Sequence, residues 1–144
     1  MKMLLLFAAG TLASMAALAA EEFNGSQPMD CEPTAGHDCL PTQASCKPLK
    51  PEAGKKLTLH VDVAKMALKT PYRNDTLPIQ SFSFNTASLV MQGTSLELVW
   101  GATIHRKTGR LTMAITDREG AYVVFGQCKL STAQAETSDS GENA

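Results

Sequence analysis

Residues 96–115 read LELVWGATIHRKTGRLTMAI, and this stretch decides the fold. Leu96, Leu98, Trp100, Ala102 and Ile104 fall on one side of an extended chain. Ser95, Glu97, Gly101, Thr103 and His105 fall on the other, with Val99 the single apolar exception. A period of two belongs to a strand with one face buried. Leu111, Met113 and Ile115 repeat it against Arg110, Thr112 and Thr116. Between the two runs lies Arg106-Lys107-Thr108-Gly109, a short loop ending in the residue that most readily takes a positive φ. The stretch therefore predicts a β-hairpin.

The same period continues outward. LTLHVDV at 57–63 sets Leu57, Leu59, Val61 and Val63 against Thr58, His60 and Asp62. IQSFSF (79–84) and SLVM (88–91) read as shorter strands, with Gln92-Gly93-Thr94 as a turn. Asp117-Arg118-Glu119-Gly120 turns into the last strand, AYVVFGQC (121–128). VAKMALKTPYRNDTLP (63–78) contains Pro71 and Pro78 and reads as a connection. The fold class is mainly β: an antiparallel meander or small open barrel of about six strands at 55–130.

The first twenty residues, MKMLLLFAAGTLASMAALAA, have a lysine beside the amino terminus, a short apolar run and small residues at Ala17-Leu18-Ala19. This is the layout of a secretory signal peptide cleaved near Ala19 or Ala20. The run falls short of the ~20 apolar residues a membrane span needs, so the mature chain is expected to be periplasmic or secreted, without a span. Residues 21–54 read as an irregular acidic arm with cysteines and prolines. Residues 131–144, with Glu136, Asp139 and Glu142 and no base, read as a disordered acidic tail.

Charge is segregated along the chain. Residues 21–46 carry five acids and no base, whereas 47–130 carry twelve bases against six acids. A basic body can meet an anionic envelope polymer or a protein partner, or lie against its own acidic arm. Few aromatics lie among the bases, so no nucleic-acid platform is expected. His105, Arg106, Lys107 and Arg110 concentrate cations on one hairpin tip and form the candidate anion-binding group.

CEPTAGHDCLPTQASC (31–46) holds three of the four cysteines; Cys128 is the fourth. An exported chain with a small core and an even cysteine count predicts two disulfides. Of the three pairings, Cys46–Cys128 with Cys31–Cys39 is favoured. Cys46 leads into the first strand, and Gly36 lets the 31–39 segment loop back. The alternative is a copper-handling site built from Met29, Cys31, His37, Cys39 and Cys46, with Asp38 nearby. Its spacings match no zinc knuckle, and no other cofactor is implied. His60, Asp62, Ser81 and Ser83 supply the residue types of a hydrolase, a third reading, but no G-x-S-x-G or other catalytic motif accompanies them.

Trp100, Ile104, Arg106-Lys107-Thr108-Gly109-Arg110-Leu111 and Gly126-Gln127-Cys128 together resemble a pattern of small exported proteobacterial proteins. These have a tryptophan strand, an Arg-x-Thr-Gly hairpin and a closing Gly-x-Cys. The resemblance covers about 30 residues and implies a β-meander whose last strand carries a disulfide; it carries over no activity. The expected function is a non-catalytic binding or accessory protein for an anionic envelope component or a partner protein.

Overall fold

The computed structural model describes residues 22–50, 54, 57–71 and 75–131. The leader and all but the first residue of the expected tail lie outside these. The described chain contains strands and no helix: β1 (Met29–Cys39), β2 (Lys47–Pro48), β3 (Leu59–Asp62), β4 (Ala67–Lys69), β5 (Thr76–Pro78), β6 (Ser81–Phe84), β7 (Ser88–Thr94), β8 (Leu98–His105), β9 (Arg110–Asp117) and β10 (Ala121–Leu130). They form one antiparallel sheet in the order β5-β4-β3-β1-β10-β9-β8-β7-β6, with β2 attached to β1. Its two ends, β5 and β6, are separated by only Ile79 and Gln80. The Ile79 N–H donates to Met66 O at 2.9 Å beside β4, and the Gln80 N–H donates to Gln92 O at 2.9 Å on β7. The sheet thus curls until one run of chain touches both of its ends.

The inward face is the core. Met29, Leu89, Trp100 and Ile104 are all at most 1 % exposed, and Val61, Leu68, Met91 and Met113 pack with them. Gly93 faces Trp100 across the β7–β8 ladder. A Cβ there would stand 2.0 Å from Pro78 O and 2.8 Å from the indole Nε1. Only glycine lets the chain cross over the indole at that point.

Several expectations change. There are ten strands rather than about six, because the expected 63–78 connection contributes β4 and β5 and the expected arm contributes β1 and β2. Gln92–Thr94 continues β7; the turn falls later, and Leu96 stands fully exposed in it instead of facing the core. The largest correction is the irregular arm: Met29–Cys39 is the longest strand and lies inside the sheet between β3 and β10. Pro33 is tolerated because the register slips between Pro33 and Ala35, making a bulge where no ladder N–H is required.

The bulged strand also sets the cysteine pairing. The bonds are Cys31–Cys128 and Cys39–Cys46, not Cys46–Cys128 and Cys31–Cys39. Cys31 stands directly opposite Cys128 in the β1–β10 ladder. The Cys128 N–H turns away to Gly109 O at 2.8 Å, so the pair is not hydrogen-bonded through the backbone, and at such positions facing side chains come closest. The β1–β2 register, His37 to Pro48 and Asp38 to Lys47, brings Cys39 and Cys46 together at the next step.

Candidate functional site

The hairpin tip after β8 is built on Gly109. It has φ +69°, its N–H donates to His105 O at 2.8 Å, and an added Cβ would lie 2.6 Å from Cys128 O. Conformation and space both demand glycine there. The four expected cations do not form one group. Arg106 turns back onto the protein: it pairs with Glu22, donates through Nη1 to Asn85 O at 2.7 Å and lies 5.5 Å from the Phe84 ring centre. Its backbone holds Phe23 N–H at 2.9 Å. It is a clamp on the N-terminal segment rather than an open anion ligand. His105 is held within the turn, its Nδ1 lying 3.0 Å from Thr108 Oγ1. Lys107 and Arg110 are exposed, and their side chains have no hydrogen bond or ion pair among the described residues.

Beside this clamp lies a feature the sequence reading missed. Phe82 and Phe84 stand opposite Met91 and Leu89 in the β6–β7 ladder, on the core-facing side. Met91 and Leu89 are 2 % and 0 % exposed, yet Phe82 and Phe84 are 43 % and 58 % exposed. The cause is topological. After Pro78 the chain leaves β4, so β6 pairs with β7 alone and its outer edge has no strand beside it among the described residues. A groove of about 340 Å³ opens there. Phe82, Phe84, Val63, Ala64, Asn24–Ser26 and Arg106 line it. The S-F-S-F alternation places both rings on one face, but an edge strand and an interior strand read alike in sequence.

On the outer face of β1, Asp30 Oδ1 accepts a hydrogen bond from His60 Nδ1 at 2.7 Å, and Oδ2 accepts one from Ser131 Oγ at 2.9 Å. Burial alone would raise the Asp30 pKa. The bonds from His60 and Ser131, with the charge of His60, outweigh it and hold the carboxyl below its usual value. The three residue types are those of a hydrolase triad, but the order is wrong. The carboxylate sits between serine and histidine, so the imidazole is not placed to take the serine proton. Asp62, expected beside His60 on the outer face, is buried and holds the following turn, accepting from Lys65 N–H at 3.0 Å. Ser81 and Ser83 are on β6, at the far end of the sheet path. The copper set is dispersed as well. All four sulfurs are in disulfides, Met29 is in the core, and His37 lies against Phe125 outside it. Among the described residues no three His, Cys, Asp or Glu side chains are grouped to hold a metal.

No family model matches the chain, and no curated protein or solved structure matches it.

Proposed function

We propose that this chain is an exported, non-catalytic binding protein that takes an extended segment of a partner protein along the open edge of β6. The observation that carries this reading is the pair Phe82 and Phe84, core-facing rings left half exposed beside an unpaired strand edge. Such an edge presents N–H and C=O groups to an incoming strand, and alternate side chains of that strand would cover the rings. The groove is at the small end of ligand-site volumes, which suits a few residues of peptide. The two disulfides support export into an oxidising compartment after cleavage near Ala19 or Ala20. No helix among the described residues is long and apolar enough to cross a membrane.

The test uses a blocked peptide of alternating valine and serine, titrated into the purified mature chain and followed by calorimetry and amide hydrogen exchange. Binding should slow exchange at the Phe82 and Phe84 amides. Phe82→Ser and Phe84→Ser should each weaken it at least tenfold, about 1.4 kcal/mol, with the unfolding midpoint nearly unchanged because both rings are already half exposed. Equal binding by wild type and both variants, or protection confined to other strands, sinks the reading.

A further inference from the structure

Outside the groove, the outer face of the sheet carries cations without a partner among the described residues. Lys69 on β4 faces His60 on β3, His60 faces Asp30 on β1, and Asp30 faces Lys129 on β10. Their chain neighbours Leu68, Leu59, Val61, Met29, Cys31 and Cys128 are buried, so this row points outward. Arg110, opposite Gln127 on the next strand, and Lys107 at the adjoining tip extend it into a crescent. Three acids near it are already engaged: Asp30 by His60 and Ser131, Asp62 by Lys65, Glu22 by Arg106. Glu32, two residues along β1 from Asp30 and opposite Gln127, is exposed on the same outer face, in the row that leads to Arg110. The side chains of Lys69, Lys107, Arg110 and Lys129 have no partner among the described residues.

The chain itself leaves from this crescent. The Ser131 N–H donates to Pro28 O at 2.8 Å and its hydroxyl to Asp30, two positions past Lys129. Residues 132–144, TAQAETSDSGENA, carry Glu136, Asp139 and Glu142 and no base. Glu136 is five residues beyond Ser131, a reach of up to ~17 Å in extended chain. The row from Lys129 to Lys69 spans three strand spacings, ~14 Å. We propose that the crescent of Lys69, Lys129, Arg110 and Lys107 is the seat of the chain's own acidic C-terminal segment, 132–144. Tethering supplies that segment at millimolar effective concentration, so three carboxylates suffice where a free peptide of the same charge would not.

The test is zero-length carbodiimide coupling on the mature full chain at low ionic strength, mapped by peptide mass. The expected products are intramolecular amide links from Glu136, Asp139 or Glu142 to Lys129, Lys107 or Lys69. They should fall at least tenfold in high salt and vanish in E136Q/D139N/E142Q, a variant that leaves the described fold untouched. Backbone amide signals of β1 and β10 should shift alike in that variant and in a chain ending at Ser131. Links only to other lysines, links only between two copies, or identical spectra for the full and shortened chains overturn the proposal. So does a crescent whose signals move on adding inorganic polyphosphate but not on removing 132–144. None of these outcomes depends on peptide binding at the β6 groove.

Discussion

The two ends of β1 carry the two disulfides, eight residues apart, and share little else. Cys31–Cys128 is buried, with both residues at most 1 % exposed, and joins residues 97 apart. Cys39–Cys46 spans seven positions at the rim, with Cys46 exposed. The first ties the earliest described strand to the last, across a ladder in the middle of the sheet; the second shapes a local loop. A cysteine's role here follows from the ladder it stands in, since the residue type is the same at both ends.

The sharpest way to break this comparison is to remove each bond in turn. Closing a loop of about 97 residues lowers the unfolded chain's entropy by an amount worth about 4–5 kcal/mol at 25 °C. The double substitution Cys31→Ala/Cys128→Ala should cost close to that, read as a fall in denaturant midpoint at unchanged slope. Domains of this size have a total stability of about 5–15 kcal/mol, so this variant sits near the edge of folding. A loss under about 1 kcal/mol would mean that the β1–β10 ladder keeps the unfolded chain compact without the bond.

Cys39→Ser/Cys46→Ser should cost about half as much, about 2.5 kcal/mol by the same model. Exposure adds a second contrast. A mild thiol reductant followed by alkylation should label Cys39 and Cys46 while Cys31 and Cys128 remain paired, since exchange requires access of the attacking thiolate. Labelling of Cys128 first would show that the sheet opens at the β1–β10 seam before the rim loop does.

The same contrast explains what could be read in advance. The hairpin of β8 and β9 was legible because alternation, turn chemistry and burial agree there: Trp100, Ala102 and Ile104 are buried as their spacing requires. β1 was not. Met29 and Cys31 alternate with Asp30 and Glu32, but the signal lasts four residues before Pro33 and the bulge reset it. Pro33 also argues against a strand in the middle of a sheet, and only the bulge removes the conflict. The pairing of Cys31 with Cys128 depends on β1 lying beside β10, so it is no more legible in the sequence than that strand. β4 and β5 escaped for a different reason: at three residues each, they are too short for any period to show. The cation-rich tip was legible as composition, yet the ion pair from Arg106 to Glu22 links residues 84 apart and leaves no trace in spacing. The groove depends on which strand lacks a neighbour, a property of the sheet order.

The smallest effect belongs to the residue beside Cys31 that faces out instead of in. Asp30 is held ionised by His60 and Ser131, with its carboxyl pKa lowered in the folded chain. A carboxyl whose folded pKa lies below its unfolded value stabilises the protein at pH above the unfolded value, about 4. That stabilisation is lost as pH falls through the lower, folded value. Because the side chain is about half exposed, 46 %, solvent screening discounts the contribution to about 0.5–1 kcal/mol. Asp30→Asn should therefore be less stable than wild type by that amount at neutral pH, and the difference should close in parallel urea titrations as pH falls through the lowered folded value. A gap that stays constant as the carboxyl is protonated would place the cost of the substitution in lost packing or hydrogen-bond geometry and detach it from the charge. A gap that closes would show that the outer face of β1 responds to solution conditions through the ionisation of Asp30.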